Sequence, residues 1–207
     1  VTRRMQKATL AAGRAPGSVR LLAVSKTRPP ADLRQAHAVG QRAFGENYLQ
    51  EALEKIEALR DLPDLEWHFI GPIQSNKTKS IAEHFDWVHS VDRLKIAQRL
   101  SDQRPAELPP LNICLQVNVS GEASKSGCAP EELPQLAQAV AAMPRLRLRG
   151  LMCIPAPSED PAEQRAAAQA LQISGTPGLV IGSQVIPGAI DLEQMREIIA
   201  AERAANS

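Results

Sequence analysis

The residue that could do the most chemistry in this chain is Lys26, in the stretch RLLAVSKTRPP from Arg20 to Pro30. Four apolar residues lead into Ser25 and then into the lysine, and Pro29 and Pro30 break the pattern just beyond. The run does not alternate apolar with polar, which predicts a strand covered on both faces over 19–25. A lysine at the C-terminal end of a parallel strand stands where α/β folds place their chemistry. Partly desolvated, its amine loses charge, attacks a carbonyl and forms a Schiff base. The competing reading is a lysine that extends into solvent at a strand end. Asn47 follows Gly45 and Glu46 where a strand gives way to a helix, so it either bonds a ligand or caps the helix. His68, within WHFIG, is a satisfied core residue or a pocket wall. Gln74, Asn76, Lys77 and Lys79 read as a solvated polar loop.

The cysteines offer less. Cys114, Cys128 and Cys153 are widely spaced, with no CxxC and no zinc-binding spacing. Cys114 and Cys153 lie inside apolar runs and read as small buried hydrophobes, whereas Cys128, in SGCAP, reads as exposed. Unpaired thiols favour a reducing, cytoplasmic setting. With 24 basic and 23 acidic residues the formal net charge is +1, which argues against nucleic acid or an anionic membrane as partner. No apolar run approaches the roughly 18 residues of a membrane span. The opening VTRRMQKATLAAGR is an amphipathic basic helix without the apolar segment of a secretory signal.

Elements that could hold these residues alternate regularly. Apolar runs at 19–25, 42–46, 66–71, 86–90, 111–119 and 146–154 are separated by helical periodicity. After Asn47, the residues Leu49, Ala52, Leu53, Ile56 and Leu59 share a helical face. After Pro130, Leu133, Leu136, Ala137, Val140 and Met143 do the same. Asp160-Pro161 with Glu163 marks another helix start. Strand–helix units in series predict an α/β fold with a parallel sheet. The pattern alone leaves open sheet and closed barrel undecided. Near residue 168 the rhythm changes. Gly178–Ile181 and Gln184–Ile186, joined by Gly182-Ser183, predict an antiparallel hairpin, followed by a helix from Asp191.

Taken in order, AVSKT, FGENYLQE, WHFIGPIQSNK, VNVSGEASKSG and LRGLMCIP resemble the pyridoxal-phosphate homeostasis protein family over about residues 3–166. The resemblance implies an alanine-racemase-type, TIM-type (β/α) barrel that binds pyridoxal 5'-phosphate as a Schiff base on Lys26. It places Asn47 at the cofactor pocket and His68 in its wall. It leaves Met152 between core packing and a contact to the pyridine ring. It also implies a carrier and regulator more than a catalyst. A racemase would need a second acid/base group, and the single tyrosine, Tyr48, sits at a helix start.

The family's Ser/Gly/Met-rich phosphate loop and its later Arg-(Ile/Val)-Gly segment are not found in this sequence. The expectation is therefore a barrel without its last two strand–helix units over 1–168 and weakened cofactor affinity. Open sheet edges would then be available for self-association. Residues 169–207 resemble the C-terminal end of thioredoxin-fold thiol:disulfide interchange proteins, with Thr176-Pro177 at the position of their cis-proline, but without the paired cysteines. The alternatives to a cofactor-homeostasis function are a thioredoxin-like redox remnant and a composite chain with no retained activity.

Overall fold

Strands and helices alternate in the order α1 (Thr2–Ala11), β1 (Ala23–Val24), α2 (Pro30–Ala38), β2 (Ala43–Glu46), α3 (Leu49–Ala58), β3 (Glu66–Phe69), α4 (Thr78–His84), β4 (Trp87–Val91), α5 (Leu94–Gln103), β5 (Leu111–Gln116), α6 (Leu133–Ala141) and β6 (Leu146–Met152). The computed structural model describes residues 1–119 and 126–154, and the backbone of 179–181 and 184–186. The fold is α/β, with a parallel sheet of six strands in chain order. Among the described residues no helix is long and apolar enough to cross a membrane. The chain forms two compact units, Val1–His68 and Phe69–Ser207.

In the first unit α2 starts where sequence chemistry puts it. Pro30 opens the helix with its φ already helical, and Asp32 lies in the first turn. The helix ends at Gly40, whose φ of 97° frees its N–H to bond the His37 carbonyl at 2.9 Å. On α3 the buried positions are Ala52 and Lys55, with Leu53 and Ile56 half-buried, and Leu59, just past its end, is buried too. The predicted apolar face is therefore present, but a lysine stands in its middle. Strand β1 pairs in parallel with β2, Ala23 against Phe44 and Val24 against Gly45.

The expected strand over 19–25, covered on both faces, is corrected here. It is two residues long, and Val24 is 54% exposed. The reason is its place at the end of the strand order, where one side of the strand has no sheet neighbour among the described residues.

In the second unit β4, β5 and β6 pair in parallel, with register shifts between Val88 and Val91 and between Ile113 and Cys114. Val88, Val91, Ile113 and Leu115 are fully buried, as are Ile81 of α4 and Ile96 and Leu100 of α5. Each such side chain contributes about 1.5–3 kcal/mol on burial. Phe69 and Phe85 meet edge to face at 5.3 Å. The buried Arg104 guanidinium donates to the carbonyls of Ala82 (2.6 Å), Phe85 (2.8 Å) and Pro109 (2.9 Å). It thus ties the end of α4 to the loop leading into β5.

Gln74, Asn76, Lys77 and Lys79 are all exposed, as a solvated stretch would be; Asn76 and Lys77 lie in a short 3-10 turn, Ser75–Lys77, with Gln74 just before it, and Lys79 is in the first turn of α4. The Thr78 hydroxyl donates to Gln103 Oε1 at 2.7 Å and accepts from Arg99 Nε at 3.1 Å, which closes that turn onto α5.

Cys128 is buried rather than exposed. It bridges Val117 in parallel, its N–H bonding the Gln116 carbonyl at 2.9 Å and its carbonyl accepting the Asn118 N–H at 2.9 Å. Gly127 permits this approach. Its φ is 130°, and a Cβ there would stand 2.5 Å from the Asn118 nitrogen.

The expected hairpin is present. β7 (Leu179–Ile181) and β8 (Gln184–Ile186) pair antiparallel, Val180 against Val185. The helix starts at Asp160 and Asp191 and the turn at Thr176-Pro177 lie outside the described residues.

Candidate functional site

The chemistry-bearing residues of the first unit gather at the C-terminal ends of β1 and β2. Ser25 continues the pairing of β1 by donating its N–H to the Gly45 carbonyl at 2.9 Å. One face of these strands is fixed by a buried network. The Ser25 hydroxyl donates to Glu46 Oε1 at 2.6 Å, and the Lys55 ammonium donates to the same oxygen at 2.8 Å. Lys55 also donates to the Ser25 carbonyl at 2.7 Å and to Glu51 Oε1 at 2.6 Å. Phe44 packs on the same side, its ring 6.3 Å from that of Trp67.

Side chains alternate along a strand. Val24 and Gly45 therefore belong to the opposite face, and so does His68, the neighbour of Trp67. One step past each strand, the register sets Lys26 level with Asn47. Lys26 and Asn47 thus follow the adjacent ends of β1 and β2, and His68 lies on β3 on the face opposite Trp67.

Each sequence-predicted residue can now be placed. Lys26 is exposed and sits in the turn immediately after Ser25. Asn47 is not the cap of α3, because Tyr48 occupies that position and no side chain caps the helix. Its Oδ1 is buried and has no hydrogen-bond partner among the described residues. A buried acceptor left unpaired carries a desolvation cost and needs an explanation; a ligand donor supplies one. His68 is 6% exposed, with Nε2 at 2.9 Å from Glu66 Oε1. Glu66 in turn accepts from Arg20 at 2.9 Å. Its carboxyl lies below the usual glutamate range, because the Arg20 and His68 contacts outweigh the burial that pushes it upward.

Met152 belongs to the second unit. It is half-buried at the last position of β6, paired with Gln116, and its carbonyl accepts the Val117 N–H at 2.9 Å.

The network of Ser25, Glu46, Glu51 and Lys55 was not singled out from the sequence. The signal available was a lysine three residues after Ala52 and four before Leu59, inside an otherwise apolar helical face, with Glu51 one turn earlier. An ion pair at that spacing is ordinary on a helix surface. Nothing in the spacing says that it is buried.

The thiols offer little reactivity. All three cysteines are free. Burial pushes the Cys114 thiol up to about 12, with Arg149 pulling slightly the other way, and pushes Cys128 up to about 11. Cys153 is also raised by burial. Thiols of this kind do not supply the thiolate that disulfide exchange needs.

Comparison with known proteins fits this picture. The family model of the alanine racemase N-terminal domain matches residues 5–175, so the α/β fold is of the alanine-racemase, TIM-type barrel class. The Pyridoxal phosphate homeostasis protein of Pseudomonas aeruginosa is 72% identical over 167 residues, covering 81% of this chain and 72% of the relative. The protein of the same name from Escherichia coli is 56% identical over 164 residues, covering 78% of this chain and 70% of the relative. The structure of PipY from Synechococcus elongatus with PLP bound superposes with a TM-score of 0.69 at 35% identity, covering 96% of this chain and 92% of that one. The chain belongs to the pyridoxal phosphate homeostasis protein family.

Proposed function

We propose that the chain binds pyridoxal 5'-phosphate and serves as a carrier and regulator of that cofactor, with Lys26 as its anchor. Bound in such a site, the cofactor supplies an aldehyde that condenses with a primary amine. Lys26 fits the role. It makes no hydrogen bond or ion pair among the described residues, and it follows the end of β1, the strand paired with the one that leads into Asn47. The orphaned Oδ1 of Asn47, just past the end of the strand that pairs with β1, is the observation that carries the reading. Asn47 would accept a hydrogen bond from the ligand. His68, held through Glu66, would wall the pocket and exclude water. Met152 would contribute an apolar contact to the ring. PipY, solved with PLP bound, supports the cofactor assignment.

The same proposal includes affinity weakened by the loss of the family's phosphate loops and self-association through open sheet edges. It also takes the protein to be cytoplasmic and its partner to be the small-molecule cofactor, with no nucleic acid or membrane. A division at residue 168 and a thioredoxin-type ancestry of 169–207 belong to it as well, on the sequence resemblance alone.

The test is an absorption spectrum of the full chain with added pyridoxal phosphate, then borohydride reduction and peptide mapping. A near-visible band trapped on Lys26, and lost in Lys26→Ala, is the expected result. Label scattered over surface lysines would defeat the proposal.

A further inference from the structure

We propose that Lys55 and Glu51 of α3 are positioning residues for Lys26, gripping the backbone on both sides of it and so fixing where its amine stands. This rests on the reading of Lys26 as the cofactor's anchor. On the N-terminal side, the Lys55 ammonium holds the Ser25 carbonyl at 2.7 Å. On the C-terminal side, Glu51 Oε1 accepts the Thr27 N–H at 2.5 Å. Lys55 and Glu51 are themselves joined at 2.6 Å, so the two grips are one unit. The third Lys55 proton goes to Glu46, the residue before Asn47. One ammonium therefore references both the Lys26 turn and the Asn47 strand end to the same helix.

Two further observations separate this from an incidental ion pair. Thr27 has a φ of 63°, and it is the one non-glycine residue at positive φ among the described residues. A β-branched residue there is strained and persists only where its surroundings hold it. The bond to Glu51 is such a hold. In addition, Lys55 is 3% exposed, and its three N–H donors meet three oxygens. It is saturated and cannot serve as a second amine for the cofactor. The two lysines divide the work: Lys26 stays exposed and without a partner among the described residues, and Lys55 aims it.

The variant that tests this is Glu51→Ala, because Glu51 is partly exposed and its loss leaves the Glu46–Lys55 pair in place. Amide hydrogen exchange on the unliganded full chain should show Thr27 protected in the parent. In Glu51→Ala that exchange should be faster by about tenfold or more, the effect of losing one charge-assisted bond. Pyridoxal phosphate should bind Glu51→Ala about tenfold more weakly, with borohydride label still on Lys26. Thr27→Gly in the Glu51→Ala background should restore affinity, since glycine adopts positive φ unaided.

Thr27 exchange that ignores Glu51→Ala overturns the proposal whatever the cofactor does. Parent protein that takes no label on Lys26, while Thr27 exchange does respond, sinks the anchor reading and the positioning role with it.

Discussion

Lys55 Nζ lies 2.8 Å from Glu46 Oε1, and neither side chain is meaningfully exposed to solvent. The pair sits beneath the strand ends that carry Lys26 and Asn47, so the chain commits two buried charges to supporting its candidate site. Glu46 Oε1 also accepts the Ser25 hydroxyl, while Glu46 Oε2 has no hydrogen-bond partner among the described residues. The carboxylate is therefore compensated on one oxygen only.

Lys55→Met removes the ammonium and leaves Glu46 buried without its counter-charge. It should destabilise the protein by about 3 kcal/mol or more, the usual effect of breaking a buried pair from one side. Combining Lys55→Met with Glu46→Gln removes the stranded charge and should recover a large part of that loss. Urea unfolding of the parent, single and double variants measures both. Equal midpoints for the single and double variants would show that the pair is not what holds this region.

Asn47→Ala separates capping from ligand binding. A lost helix cap costs about 1 kcal/mol. Because Tyr48 holds the cap position and Asn47 Oδ1 bonds nothing, stability should change by about 0.5 kcal/mol or less. Pyridoxal phosphate affinity should fall roughly three- to tenfold, the value of one hydrogen bond. Unfolding curves and a cofactor titration on the same samples read the two effects. A clear loss of stability with unchanged affinity would return Asn47 to the cap.

Much of this arrangement is written in the sequence, and the missing parts share a cause. The six strands, the start of α2 at Pro30 and the β7–β8 hairpin follow from local signals: apolar runs, a proline at the first helical position, and a two-residue glycine-containing turn. Lys26 and Asn47 fall where strand ends were expected. Lys55 was not legible, because its partners Ser25 and Glu46 are brought in by strands distant along the chain. Cys128 misled in the same way. SGCAP has loop composition, yet the positive φ of Gly127 folds it back onto Val117. The β1 run reads as buried because its apolar residues are continuous, whereas among the described residues β1 has a sheet neighbour on one side only.

The acidic limb of stability should also report the network. The Lys55 ammonium bonded to Glu51 holds that carboxyl below its ordinary value of 4.5, with the Thr27 N–H helping and burial opposing. Arg34 similarly holds Asp61 below its ordinary value, and His37 does so for Asp64. A carboxyl whose folded value is depressed contributes stability above its unfolded value and loses it as pH falls through the folded one. Stability should therefore decline from about pH 4.5 downward, and Glu51→Gln should decline less steeply because it has one such group fewer. Urea midpoints measured across that range decide it. Parallel curves for parent and variant would remove Glu51 from the account.

Thiol reactivity gives the sharpest test against a redox role. With values of about 12 for Cys114 and about 11 for Cys128, both thiols are almost wholly protonated near neutrality. At pH 8 the thiolate fraction of Cys128 is about a thousandth, and it is the thiolate that attacks a disulfide. Burial then denies the reagent access to what little forms. In native protein, a disulfide reagent such as Ellman's should label Cys114 and Cys128 slowly, and labelling should become complete only after unfolding. Mass mapping of the modified peptides assigns the sites. Rapid native labelling of Cys128 would mean that the Gly127 turn opens readily, and the thioredoxin-like alternative would regain a nucleophile. Slow labelling leaves Cys114 and Cys128 as buried packing residues rather than redox nucleophiles.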